Sequence, residues 1–325
     1  MAVKVFEQAS SGIEVSVIIP VYNRARVIGR AIDSVLSQTG VGGIEVVVVD
    51  DGSQDHLDEA LRGYEGRIKL IKKSNGGVSS ARNEGTANST GKFIAYLDSD
   101  DIFEQGKLSK SLEILRKRSD AGFVFSDFSR FDIEEPSTRL EHTNSYFFNN
   151  IYRYTQSPLE GISSKLYFLP QQDVFGLLLA GYFMSPCTLV MRRELYQAAQ
   201  GWPTEFDISE DFHFFLRLST LANAVYIDEP LISAGRGDNN LTENHQDCAE
   251  SDISVLKSCL NLSHFDDAKK RQIKAAISDR LERLGWGLKN SRSYKEASRC
   301  YKEAFSFKPS NIKALLNYLM LLPKL

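Results

Sequence analysis

Asp98-Ser99-Asp100 places two carboxylates on alternate positions directly after an apolar run, Phe93–Leu97. Alternate carboxylates on an extended segment can point at one hard cation together with phosphate oxygens, the ligand set that Mg²⁺ and Mn²⁺ favour. The plainer alternative is an acidic surface turn. Asp50-Asp51-Gly52-Ser53 closes another apolar run. It is either a turn whose Ser53 or Asp55 caps the next helix, or a carboxylate at a strand end that accepts hydrogen bonds from a nucleobase or ribose. Asn75-Gly76-Gly77 precedes Val78–Asn83. Glycine allows close backbone approach and a helix start attracts anions, with Arg82 one turn in; an ordinary loop with a surface arginine is the alternative. Glu210-Asp211 opens the run Phe212–Leu218. Acids there either complement the helix dipole or supply a general base. His213, set among phenylalanines, reads as a packed residue.

The elements that must position these groups alternate in period. Val15–Ile19 and Ile44–Val49 are β-branched runs of the kind that forms strands buried on both faces. Val27, Ile28, Ala31, Ile32, Val35 and Leu36 have helical spacing, and further helices are expected from Leu57 and after Gly77. Ile68–Ile71 and Phe93–Leu97 complete the strands. Such alternation predicts a doubly wound α/β domain whose ligands lie beyond the carboxyl ends of the strands, where Tyr22-Asn23-Arg24, Asp50–Ser53, Ser74–Gly77 and Asp98–Asp101 fall. The aromatic stretch 126–180 has no clean period and reads as a variable acceptor or lid segment. From Ser251 onward the chain looks helical.

Bulk properties narrow the classes. The chain has 325 residues, 39 basic and 42 acidic, a net charge of −3, 42% hydrophobic and 25% charged residues. That composition is globular, and it lacks the basic excess of a nucleic-acid coat protein, so no nucleic-acid partner is expected. No apolar run reaches the roughly 18 residues that span a bilayer, and Met1–Ser11 lacks a signal-peptide pattern. Cys187, Cys248, Cys259 and Cys300 form no C-x-x-C pair, which points to reduced thiols and a cytoplasmic location.

Together the segments Val15–Asn23 (VSVIIPVYN), Val47–Ser53 (VVVDDGS), Asn75–Asn83 (NGGVSSARN), Phe93–Asp101 (FIAYLDSDD) and Glu210-Asp211 resemble the family 2 glycosyltransferases, nucleotide-sugar-dependent inverting enzymes of the GT-A fold. The resemblance covers about residues 13 to 235. It implies an α/β GT-A domain with a mostly parallel sheet, here taken as 13–250 after an extension 1–12; the helical pattern makes 251–325 a separate C-terminal region. It implies that Pro20, Tyr22 and Asn23 line the nucleotide pocket and that Asp51, with Asp50 beside it, binds the base. Arg82 would hold the base or diphosphate. Asp98 and Ser99 would meet the ribose and donor, and Asp100 with Asp98 would bind Mn²⁺ or Mg²⁺. Asp211 would be the catalytic base, supported by Glu210. Donor and acceptor would be a nucleotide sugar, expected to be UDP-linked, and a saccharide or lipid-linked saccharide.

One departure stands out. Many relatives follow the E-P-L segment, here Glu229-Pro230-Leu231, with an arginine and a histidine that joins the metal site; here Arg236 or Gly237 falls at that histidine. Asp238 could substitute as an oxygen ligand, or Arg236 could neutralise the diphosphate. In the tail, Leu284, Gly285, Ala297, Tyr301, Ala304 and Pro309 resemble one tetratricopeptide hairpin, against a plain helical extension. The apolar end, Ile312–Leu325, offers a homodimer contact, a cap on the hairpin, or a peripheral contact with the inner face of a membrane. Two other functions compete. A nucleotidyltransferase would need a glycine-rich basic loop where Tyr22-Asn23-Arg24 stands. A scaffold built on the tail would not need Asp98, Asp100 and Asp211.

Overall fold

The structure, a computed structural model, describes residues 12–134, 139–140, 154, 156–181, 183–237 and 245–324. Asp238, residues 1–11, and the aromatic residues Tyr146, Phe147, Phe148 and Tyr152 lie outside them. The chain divides into two compact units.

The first unit comprises Met1–Val174, Phe183–Thr204 and Leu221–Asp238. It is built on one sheet. Its opening strands are β1 (Val15–Val21), β2 (Ile44–Asp50), β3 (Lys69–Lys72) and β4 (Phe93–Tyr96), joined by helices α1 (Ile28–Leu36), α2 (Leu57–Leu61) and α3 (Gly77–Ala87). Then come β5 (Ile102–Phe103), α4 (Lys107–Lys117), β6 (Ala121–Asp132), β7 (Arg139–Leu140), β8 (Lys165–Leu169), β9 (Leu189–Arg192) and β10 (Asn223–Arg236). The order is β3-β2-β1-β4-β9-β6-β10-β5, with β7 on β6 and β8 on β10.

The expected strand–helix alternation of the first hundred residues is present, and its physical basis is burial. Every residue of β1 is buried, as are Val46–Asp50 of β2 and all of β4, so these strands carry continuous apolar runs. α1 turns Ile28, Ala31, Ile32 and Val35 into the core on one stripe. The aromatic stretch is only partly outside the sheet, since β6 and β8 reach into it.

Strand direction decides where a site can lie. β1 runs parallel to β2 and β4, and β2 to β3. β9 is antiparallel to both β4 and β6, so β4 and β6 run the same way, and β10 is parallel to β6. The carboxyl ends of β1, β2, β3, β4, β6 and β10 therefore share one edge.

The second unit comprises Phe175–Tyr182, Glu205–Thr220 and Asn239–Leu325. Its helices are Glu210–Leu218, His245–Cys259, Asp267–Asn290, Tyr294–Phe307 and Ile312–Leu321. Phe212, Phe215, Val255, Leu256, Ile273, Ile277 and Tyr301 are among its buried side chains. Gly285 lets the second and third of the long helices close up: a Cβ there would meet the Tyr301 ring at 3.0 Å. Ala297 and Ala304 are buried on the same helix as Tyr301. Ile312–Leu321 buries Ala314 and Leu321, and leaves Leu316 51% and Met320 63% exposed. Among the described residues no helix is long and apolar enough to cross a membrane.

Candidate active site

The loops at the shared carboxyl edge are fastened to one another. Asn23, in the left-handed region at φ 52°, donates its backbone N–H to Ser53 Oγ and accepts the Gln54 N–H on Oδ1 at 2.7 Å. Ala25 N–H is held by Asp55, and Asp51 N–H by Val21 O. Asp50 folds back to accept the Ser53 N–H at 2.8 Å. Pro20 is buried at the end of β1, whereas Tyr22 is 48% exposed at the rim.

Asp51 is the hinge of the next loop. Its carboxylate accepts N–H bonds from Gly76 (3.0 Å) and Gly77 (2.8 Å) and forms an ion pair with Lys73 at 2.6 Å. The first turn of α3 leaves backbone donors unpaired within the helix, and a carboxylate satisfies them. A side chain on Gly52, itself at φ 83°, would meet Asn75 N at 2.9 Å, so glycine is what allows the two loops to close.

Asp98, Ser99, Asp100 and Asp101 form a turn, closed by Asp101 N–H to Asp98 O at 3.0 Å. Arg82, buried within α3, donates to Asp98 at 3.0 Å and lies 4.7 Å from the Trp202 ring. Asn83 holds Trp202 through both backbone groups. Arg82 thus fixes Asp98 from below, a role that spacing alone did not reveal. Asp100 lies 3.9 Å from Arg24. Burial raises the Asp100 pKa, and the nearby Asp98 adds to it, while Arg24 and Arg236 oppose the rise. Ser99 is buried between them.

Asp101 points inward. It accepts the Gly235 N–H at 2.9 Å, and burial followed by repulsion from Asp98 and Asp100 pushes it up to about 8. Cys187 closes the underside, accepting the Asp98 N–H on sulfur at 3.3 Å. Burial, then Asp101 and Asp98, push its thiol well above the usual range. Beneath it, the fully buried Lys107 donates to Thr188 O at 2.5 Å and to Ser126, and burial lowers its pKa to about 7. Neither Cys187 nor Lys107 was singled out as a site residue; no motif marks them, because their partners are far away in sequence.

Crowded carboxylates that repel one another are a fitting place for a divalent cation. Ligand atoms of Asp98, Asp101 and Cys187 lie within 4.8 Å of one another, and Asp100 is close enough to feel Asp98. Asp98 and Asp100 keep partial exposure, 33% and 19%, on the open side of the turn. Thiol sulfur is a poor ligand for Mg²⁺ or Mn²⁺, so oxygen donors favour the open side.

The second unit holds Glu210 and Asp211, in the first turn of Glu210–Leu218. Asp211 accepts the Phe212 N–H at 2.7 Å. Ser209, at φ 63°, precedes them and donates to Asp252 at 2.8 Å; Asp252 in turn faces Arg280 at 3.6 Å. Arg280 also lies over the Phe212 ring. Ser251 donates to Ile208 O. This brace was not anticipated from the sequence. His213 is buried against Phe206, as its apolar neighbours suggested, and burial with Arg217 lowers its pKa to about 3.

The profile of Glycosyl transferase family 2 matches residues 16–197. This chain belongs to that family. An uncharacterized glycosyltransferase of Rickettsia bellii is 42% identical over 138 residues, 42% of this chain and 19% of the relative. One of Rickettsia typhi is 30% identical over 231 residues, 71% of this chain and 66% of the relative. The first three relatives are matched over only 19%, 22% and 23% of their own lengths. Among solved structures, S. aureus TarS 1–349 in complex with UDP-GlcNAc superposes with a TM-score of 0.65 at 18% identity, over 95% of this chain and 90% of that one. The mannosyltransferase PcManGT of Pyrobaculum calidifontis, with GDP-Man and Mn²⁺, gives 0.58 at 16%, over 95% and 85%. The fold is therefore GT-A, an α/β sheet with flanking helices plus a region of several helices. Members of the family typically depend on a divalent cation.

Proposed function

We propose that this chain is an inverting glycosyltransferase that moves a sugar from a nucleoside diphosphate donor, a UDP-sugar, to a hydroxyl of a saccharide or glycolipid acceptor. The observation that carries the reading is the Asp98–Asp100 turn, held by Arg82 and Cys187 at the shared carboxyl edge of a family 2 sheet. The UDP-GlcNAc of TarS and the GDP-Man with Mn²⁺ of PcManGT support a donor of this class.

Each residue's role follows from its chemistry. Tyr22 and Asn23 border the nucleotide; Asp51 shapes the base pocket by ordering the Gly76-Gly77 backbone, and Asp50 by holding Ser53. Asp98 and Asp100 would hold Mn²⁺ or Mg²⁺, which when bound would supply positive charge to a departing diphosphate. Asp211 takes the proton of the acceptor hydroxyl, and Glu210 supports it. A cytoplasmic location, with the apolar helix Ile312–Leu321 as the contact with a second copy or a membrane face, belongs to the same proposal.

The test is release of UDP from a panel of UDP-sugars by the full chain with Mn²⁺. Asp100→Ala is expected to lower turnover by about a hundredfold or more, and Asp211→Asn by about 10²–10⁴ with UDP affinity retained. Turnover equal to wild type in both variants would overturn the assignment.

A further inference from the structure

The turn that delivers Glu210 and Asp211 is gripped by two other helices of its unit. Ser209, just before the pair, sits in the left-handed region at φ 63°, where a non-glycine residue persists only if its surroundings hold it. A serine at a helix start ordinarily turns its hydroxyl onto the first N–H groups of that helix. Here the hydroxyl donates to Asp252 at 2.8 Å. The residue beside Asp252 takes the other end of the turn, where Ser251 Oγ donates to Ile208 O at 2.6 Å. Adjacent residues of His245–Cys259 therefore hold adjacent residues of the turn.

The grip has a firm base. Val255, Leu256 and Cys259, further along His245–Cys259, are fully buried. Asp252 faces Arg280 of Asp267–Asn290 at 3.6 Å, and that helix is anchored by the buried Ile273 and Ile277. Arg280 also donates to Leu179 O at 3.0 Å, and its guanidinium lies 5.3 Å from the ring of Phe212. Asp211 is thus held on both sides in the chain. Ser209, two residues before it, is tied to Asp252, and Phe212, directly after it, is packed on Arg280. Cys248 lies one turn before Asp252 on the same helix face. Its thiol is pushed up by burial first, then by Asp252, Asp247 and Asp211, so this face lies close to the acid.

We infer that Asp252, with Ser209 and Arg280, positions the Asp211 carboxylate for proton transfer, an inference that rests on the reading of Asp211 as the base. The helices that follow residue 245 then set the aim of the base as well as building their own core. Aim matters because a misplacement of about 1 Å can cost about a hundredfold in rate. A carboxylate works as a base only within hydrogen-bond reach of its proton.

The experiment measures kcat and KM for nucleoside diphosphate release from a panel of UDP- and GDP-sugars by the full chain with Mn²⁺, together with the melting temperature. The proteins are wild type, Ser209→Gly, Asp252→Ala, Asp252→Asn, Asp211→Asn and the double variant Asp252→Ala with Asp211→Asn. Glycine accepts φ 63° without strain, so Ser209→Gly removes the hydroxyl and relaxes the backbone. It is expected to lower kcat about tenfold, with donor KM unchanged and no loss of melting temperature. A merely structural hydroxyl would leave kcat alone. Asp252→Ala should lower kcat by about 10–100-fold, and Asp252→Asn, whose amide oxygen still accepts the Ser209 hydroxyl, should recover most of it. Once Asp211 is asparagine, Asp252→Ala should add less than about threefold, because groups that act as a unit are not additive. Ser209→Gly reports even if Asp252→Ala does not fold. If Asp211→Asn loses turnover while Ser209→Gly keeps wild-type kcat, or if the losses in the double variant multiply, the positioning role is overturned and the base assignment stands. If Asp211→Asn turns over like wild type, the base assignment fails and the positioning role falls with it.

Discussion

His213 lies beside the two acids proposed for proton transfer, yet the fold withdraws it from acid–base work. Its ring is packed on Phe206, and its pKa is lowered to about 3, mainly by burial. A depressed folded value ties stability to the neutral form. That contribution is complete above the unfolded value of about 6.5 and is lost as pH falls through the window down to about 3. In that window the unfolded chain binds a proton that the folded chain refuses, at about 1.4 kcal/mol per pH unit. From pH 7 to pH 5 the group therefore costs about 2 kcal/mol. Urea unfolding at those two pH values checks it: His213→Phe should lose less stability than wild type over the interval. Equal losses would mean that His213 protonates in the folded state. At the same scale, the acids of the shared carboxyl edge were legible in the sequence because each closes or follows a strand. Their supports, Lys107 and Cys187, were not, since each meets partners distant in the chain.

Among the elements, β10 carries a tight constraint next to the acidic turn. A Cβ on Gly235 would lie 2.4 Å from Asp100 O, closer than any real contact, and a backbone oxygen cannot swing aside as a side-chain tip can. Gly235→Ala should therefore displace the Asp98–Asp100 turn and weaken Mn²⁺ and UDP binding by about tenfold, at a stability cost of about 1–3 kcal/mol. Gly237→Ala is the control, because its nearest neighbour would be Ile133 Cδ1 at 3.4 Å, an ordinary distance. Mn²⁺ binding followed by electron paramagnetic resonance separates them; two variants with equal affinity would show that the turn yields freely. The elements also explain why the first hundred residues were readable and the next hundred less so. β1, β2 and β4 are buried on both faces and closed by polar loops, so local pattern suffices. β9 enters antiparallel between β4 and β6, a pairing that only distant partners define. In β10 the register against β6 shifts between Asn223 and Ala224, between Ile227 and Pro230 and between Pro230 and Ser233, so a two-residue period does not run the length of the strand.

For the whole molecule, the division into two units makes ligand protection a local quantity. The loops proposed to hold the nucleotide, 20–24, 50–54, 73–77 and 98–101, all belong to the unit built on the sheet. The hairpin of Asp267–Asn290 and Tyr294–Phe307 belongs to the other and has its own core, with Gly285 against Tyr301. A donor that binds the folded sheet unit stabilises it by mass action, about 2.7 kcal/mol at one hundred times its dissociation constant. For a unit of about 200 residues that is a rise in melting temperature of about 5–10 °C. Hydrogen exchange with UDP and Mn²⁺ should slow in those four loops and leave Tyr294–Leu321 unchanged. Slowing confined to the hairpin would place the nucleotide on the helical unit and remove the carboxyl edge from the mechanism. Uniform slowing would show that the two units open as one, so that stabilisation of the sheet is transmitted to a core that touches no nucleotide.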